Sequence, residues 1–120
     1  MYRILVADDE ESLRYLITET LKIDEKFDIY EAEDGEEALK MVDKYKPDLI
    51  LLDIMMPKLT GYELAGILKD REYKPKIVIL TAKSQKSDIE KGMKLGVDHY
   101  LTKPFSPIEL LDLIEKIVNS

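Results

Sequence analysis

Five polar side chains stand directly behind short apolar runs, where an α/β protein keeps its chemistry. Asp8 and Asp9 follow YRILVA, Asp53 closes LILL, Thr81 closes KIVIL, and Lys103 follows a short run around Tyr100 and Leu101. Open parallel sheets hold their ligands in the crevice beyond the carboxyl ends of the strands, at the point where strand order reverses. Three carboxylates gathered there repel one another at neutral pH unless a proton or a cation offsets their charge. Mg²⁺ suits them: it is hard, prefers oxygen ligands, and keeps waters that a phosphorylated substrate displaces. A threonine hydroxyl and a lysine ammonium both donate to phosphoryl oxygens, and the lysine also neutralises charge. Each residue has a plainer role as well. Asp8 and Asp9 can cap the first helix, Asp53 a loop, Thr81 can bond locally, and Lys103 can be a solvated charge. It is the co-occurrence of all five that favours a site for a divalent cation and a phosphoryl group.

The elements that must position these groups alternate along the chain. Tyr2 to Ala7 reads as a strand, and Leu13, Leu16, Ile17, Thr20 and Leu21 recur at helical spacing behind it. Phe27 to Ala32 is a second strand, flanked by polar residues and suited to a sheet edge. A helix over Gly35 to Tyr45 turns Ala38, Leu39 and Val42 inward. Leu49 to Leu52, behind Pro47, is apolar on both faces, as a central parallel strand covered by helices must be. Gly61 to Asp70 is predicted as a short helix and Lys76 to Thr81 as a strand. Asp88 to Leu95 is predicted as a weak helix ended by Gly96 in a left-handed cap, then a short strand at Tyr100 and Leu101, then a helix from Pro107 to Val118.

Capping-box pairs recur at four predicted helix starts: Asp34 with Glu37, Thr60 with Glu63, Ser87 with Glu90, and Ser106 with Glu109. Four such starts behind strands imply five βα units and a parallel sheet with helices on both faces. Right-handed crossovers then predict a flavodoxin-like (βα)5 three-layer sandwich with strand order 2-1-3-4-5, which brings Asp8, Asp9 and Asp53 together.

Composition narrows the function classes. A chain of 120 residues is expected to form one domain, 1–120, with a sizeable core. It has no cysteine, and its single histidine, His99, precludes a multi-histidine zinc site and is read as a packing residue. With 25 acidic and 18 basic residues the formal charge is −7, which opposes binding to a nucleic-acid backbone. Neither a signal peptide nor a membrane span is indicated, so a cytoplasmic protein is expected, with no nucleic-acid or membrane partner.

The ordered set DDE at 8 to 10, DIMMP at 53 to 57, LTA at 80 to 82 and KPF at 103 to 105 resembles the receiver domain of two-component response regulators, over essentially the whole chain. That resemblance implies a phosphoacceptor at Asp53, with Asp9 as a direct Mg²⁺ ligand, Asp8 as an acidic partner often acting through water, and the backbone carbonyl of Met55 as a further ligand. Mn²⁺ is the expected substitute ion. Thr81 and Lys103 resemble the phosphoryl-contacting pair, Tyr100 the switch aromatic, and Lys103–Pro104 the family's cis peptide. The donor implied is a phosphohistidine on a sensor histidine kinase or phosphotransfer protein, or a small phosphodonor. The product is a self-hydrolysing aspartyl phosphate that controls a downstream output protein or fused output domain.

The resemblance also assigns surfaces. Kinase docking is expected near Arg14 and Tyr15 and at the loop from Pro104 to Pro107, including Phe105. The output surface is expected on the helix from Asp88 to Leu95, the Tyr100 strand and the last helix, where Lys83, Lys86, Lys91 and Lys94 suit an acidic partner. Thr60 stands where the family is often acidic. Met55 and Lys83 fall where family side chains govern access of hydrolytic water, and together they are expected to slow dephosphorylation. Competing readings are a Mg²⁺-dependent phosphohydrolase with Asp53 as nucleophile, for which no separate general acid is evident, and a receiver-like scaffold that works without phosphorylation.

Overall fold

The computed structural model describes residues 1–82, 90, 92 and 94–119. Five parallel strands form one sheet: β1 (Tyr2–Ala7), β2 (Phe27–Ala32), β3 (Leu49–Asp53), β4 (Lys76–Thr81) and β5 (His99–Thr102), in the order β2-β1-β3-β4-β5. Four helices are described: α1 (Glu11–Leu21), α2 (Gly35–Tyr45), α3 (Gly61–Lys69) and α4 (Pro107–Val118). The predicted helix from Asp88 to Leu95 lies largely outside the described residues, as does Ser87 of its Ser87–Glu90 pair. Gly96, expected as a left-handed cap, has φ +81°.

Strand alternation divides the core between two faces. Ile4, Val6, Leu49, Leu51, Val78 and Leu80 pack with Ile17 and Leu21 of α1 and Leu110, Ile114 and Ile117 of α4. Leu5, Ala7, Ile50, Leu52, Ile77 and Ile79 pack with Ala38 and Val42 of α2 and Leu64, Ala65 and Leu68 of α3. All five residues of β3 are buried, because it is central and covered on both faces. The edge strand β2 is only partly buried.

Two sequence expectations are corrected. Leu16 does not join the inner stripe of α1; it is 41% exposed, whereas Arg14, Thr18 and Thr20 are buried around Ile17. At 100° per residue, a helix centred on Ile17 carries Leu16 to the flank and Arg14 inward. The capping pairs also differ in completeness. Thr60 and Glu63 form both reciprocal bonds. Asp34 accepts from the Glu37 N–H at 2.8 Å, but the Glu37 carboxylate reaches past it to the Glu33 N–H. Ser106 Oγ accepts from the Glu109 N–H and donates to the Glu109 carboxylate, whose oxygen therefore takes the hydroxyl rather than the backbone N–H.

Candidate functional site

The register of the sheet sets the depth of each candidate residue. β1 and β3 are neighbours, with Ala7 opposite Leu52, so Asp8 and Asp53 leave adjacent strands at the same level. Asp53 lies opposite Leu80, and Thr81 lies one residue further along β4, opposite Thr102. Lys103 follows β5, and its backbone N–H donates to the Thr81 carbonyl at 2.7 Å. The five residues singled out by their positions behind apolar runs thus emerge along one edge of the sheet, at its carboxyl end.

The side chains of Asp8, Asp9, Asp53 and Lys103 converge. Carboxylate oxygens of Asp8, Asp9 and Asp53 all lie within 4.8 Å of one another, the first and last buried and Asp9 exposed. Lys103 Nζ is 3.0 Å from Asp8 Oδ2 and 3.4 Å from Asp53 Oδ1. The other Asp8 oxygen accepts from the Glu10 N–H at 2.8 Å, so Asp8 does steady the turn into α1 while its second oxygen faces the crevice. Asp53 Oδ1 also accepts from the Met55 N–H at 3.3 Å. Beyond that bond the chain turns sharply into α3. Gly61 permits this, since a β-carbon there would lie 2.4 Å from the Asp53 carbonyl oxygen.

The electrostatics follow from this crowding. Burial, then the nearby Asp8 charge, push the Asp53 carboxyl up to about 6, against the opposing pull of Lys103 and the Met55 N–H. Burial pulls the Lys103 ammonium down, but its hydrogen bond to Asp8 and the charges of Asp53 and Asp8 outweigh it and hold the group above its ordinary value. Hard oxygen donors, an excess of negative charge over one ammonium, and an exposed Asp9 on the solvent side together fit a small divalent cation.

Other predicted residues are distributed as follows. Thr81 is buried. Tyr100 is half-buried, with its hydroxyl where a β-carbon on Gly92 would lie. The Lys103–Pro104 peptide is cis. The Met55 side chain is 74% exposed, Tyr15 66%, and Phe105 packs partly against the α1 and α4 core. Lys94 is exposed; Lys83, Lys86 and Lys91 lie outside the described residues. Arg14 departs from expectation. It is buried, its Nη1 donating to the Asp8 carbonyl at 2.8 Å and its Nε to Glu31 at 3.2 Å, so its head is committed inside the protein instead of being offered to a docking kinase. Glu31 and Glu33, which hold that guanidinium, were not singled out by sequence; an arginine three residues before Ile17 on the inner stripe was the available signal.

Comparison with known proteins agrees with this geometry. A family profile described as the response regulator receiver domain matches residues 4–115. The chain is 45% identical over 116 residues to the alkaline phosphatase synthesis transcriptional regulatory protein PhoP of Bacillus subtilis, covering 97% of this chain and 48% of that protein. It is 36% identical over 119 residues to the chemotaxis protein CheY of Halobacterium salinarum, covering 98% of both. The solved chemotaxis response regulator CheY4 of Vibrio cholerae superposes with a TM-score of 0.91 at 29% identity, again covering 98% of each chain. The chain spans about half the length of PhoP and nearly all of CheY. With the sheet order, the acidic cluster and the family profile all in agreement, the chain belongs to the response regulator receiver domain family of two-component signal transduction.

Proposed function

We propose that residues 1–120 act as one receiver domain in which Asp53 accepts a phosphoryl group from a phosphohistidine on a histidine kinase or phosphotransfer protein, or from a small phosphodonor. The observation that carries this reading is the meeting of three carboxylates within 4.8 Å, with the Lys103 ammonium bridging Asp8 and Asp53. Asp8, Asp9, Asp53 and the Met55 carbonyl would hold Mg²⁺, or Mn²⁺ in its stead. The ion when bound supplies charge neutralisation for the carboxylates and for the phosphoryl oxygens.

An Asp53 carboxylate oxygen attacks phosphorus in line as the bond from phosphorus to the donor imidazole nitrogen breaks, and that nitrogen leaves with the bonding pair. Burial readies the attacking oxygen by stripping water from it, and Lys103 neutralises charge on the transferred group. The Thr81 hydroxyl, on the residue just beyond the level of Asp53 at the carboxyl end of β4, donates to a phosphoryl oxygen. Its inward movement vacates space into which the Tyr100 ring turns, and this alters the surface offered to an output protein or a fused output domain. Water later hydrolyses the aspartyl phosphate, so the domain regulates and does not sustain turnover. Tyr15 and Phe105 serve kinase docking, Lys94 lies on the output side, and the domain works in the cytoplasm without contacting nucleic acid or membrane; among the described residues no helix is long and apolar enough to cross a bilayer.

The test is incubation with acetyl phosphate, with Mg²⁺ or with a chelator, followed by intact mass and released phosphate. One phosphoryl group per chain, dependent on Mg²⁺ and lost in Asp53→Asn, is the expected result. Many turnovers on a phosphorylated metabolite, or modification that survives Asp53→Asn, would overturn the proposal.

A further inference from the structure

Arg14 lies on the inner side of α1 with 7% of its surface exposed, an unusual position for a residue with no apolar partner for its head. Its guanidinium is instead spent on three oxygens from two strand ends. Nη1 donates to the backbone carbonyl of Asp8 at 2.8 Å, Nε to Glu31 Oε1 at 3.2 Å, and Nη2 lies 3.5 Å from Glu33 Oε1. Asp8 thereby has each of its polar groups fixed. Its N–H donates to the Ala32 carbonyl, its carbonyl accepts from Arg14, one carboxylate oxygen accepts from Glu10 and the other faces Lys103. Glu31 and Glu33, at and beyond the end of β2, surround the guanidinium with two negative charges, so a cation is accommodated next to an acidic site with its own charge already balanced.

We propose that Arg14 is a positioning residue for the cation site: it clamps the Asp8 carbonyl to the end of β2 and so fixes the turn that aims Asp8 and Asp9 at Asp53. The inference rests on the reading of that cluster as a Mg²⁺ site. A planar fork that spans three oxygens is needed, which a lysine head does not reproduce. The role is separable from a through-space electrostatic one by sign. Removing a positive charge beside an acidic site tightens cation binding by charge alone, whereas loss of the clamp weakens it.

The experiment is calorimetric titration of the whole chain with MgCl₂, for the parent and for Arg14→Met and Arg14→Lys, each at a temperature where circular dichroism reports it folded. About 10-fold weaker Mg²⁺ binding is expected for Arg14→Met, in the range seen when a partner behind a metal ligand is lost. Arg14→Lys should also be weakened although it keeps the charge, and it decides the matter if Arg14→Met does not fold. Binding equal to or tighter than the parent's in a folded variant overturns the proposal. A metal-free readout accompanies it. The Glu10 amide, which donates to Asp8, should exchange its hydrogen faster in the variant without an equal change at Leu51 in the core, and an equal change at both would sink the clamp. A parent that binds no Mg²⁺ refutes the cation site itself, and the exchange measurement still judges Arg14.

Discussion

Replacing Asp53 by asparagine should make the metal-free protein more stable. In the folded state the Asp53 carboxyl titrates at about 6 against an ordinary 3.8, because it is buried and faces Asp8. At roughly 1.4 kcal/mol per pH unit, that gap of about two units bounds the cost of carrying the charge at about 3 kcal/mol. Solvent at the mouth of the crevice discounts this, so a gain of about 1–3 kcal/mol at pH 7.5 is expected for Asp53→Asn. The sign follows from linkage: between the two values the folded chain holds a proton that the unfolded chain has released. The penalty is therefore absent below about pH 4, grows as pH rises toward 6, and is complete above it. Urea melts of parent and variant by circular dichroism, in a chelator at pH 4, 5, 6 and 7.5, give the difference directly, with other titrating groups cancelling. Saturating Mg²⁺ should then narrow or reverse the order, since a ligand a hundredfold above its dissociation constant adds about 2.7 kcal/mol to whichever protein binds it. A variant less stable than the parent at pH 7.5 in chelator, or a difference that does not change with pH, would refute the reasoning.

Lys103→Met removes the ammonium that bridges Asp8 and Asp53; phosphorylation by acetyl phosphate, followed by intact mass, should slow by about 10²-fold, the cost of losing one preorganised charge partner, while Mg²⁺ binding measured by calorimetry is kept or tightened. Thr60→Ala breaks the complete capping box of α3 and should cost about 1 kcal/mol in urea melts. Met55→Asn replaces a thioether that is 74% exposed beside Asp53 with a short polar group; phosphoaspartate should decay faster than in the parent, and equal or slower decay counts against Met55 as a barrier to water.

The residues legible from sequence share one property: their position follows from the chain immediately before them. Asp53 ends a run apolar on both faces, which fixes both the central strand and the end at which the carboxylate emerges. Asp8 and Thr81 are set by the same logic, and the polar flanks of β2 suit the sheet edge it occupies. What sequence misjudged depends on distances between elements. Helical spacing counts Leu16 as apolar and therefore inner, but the orientation of α1 is set by what β1, β2 and α4 offer it, and that favours Ile17 with Arg14 beside it. The box pattern at Asp34 and Ser106 specifies which residues can meet; whether the glutamate reaches the cap backbone, the neighbouring N–H or a hydroxyl is decided by side-chain length and competing donors.

Arg14 and Lys103 make the difference concrete. Both are basic residues in an acidic chain, and both are bound to Asp8, six residues from one and ninety-five from the other. Lys103 was legible because the fifth strand delivers it to the crevice, so the fold itself supplies the contact. Arg14 is placed at a docking surface by the family resemblance, whereas its head is buried. Its burial becomes intelligible only once parallel pairing sets Val6 beside Glu31 and Ala7 beside Ala32, which brings two glutamates to the same end as Asp8. A buried guanidinium without those carboxylates would be costly, and with them the end of β1 is held from both sides. The aim of Asp8 and Asp9 therefore depends on β2 as well as on their own strand, and a substitution at Glu31 or Glu33 acts on the acidic site without touching it.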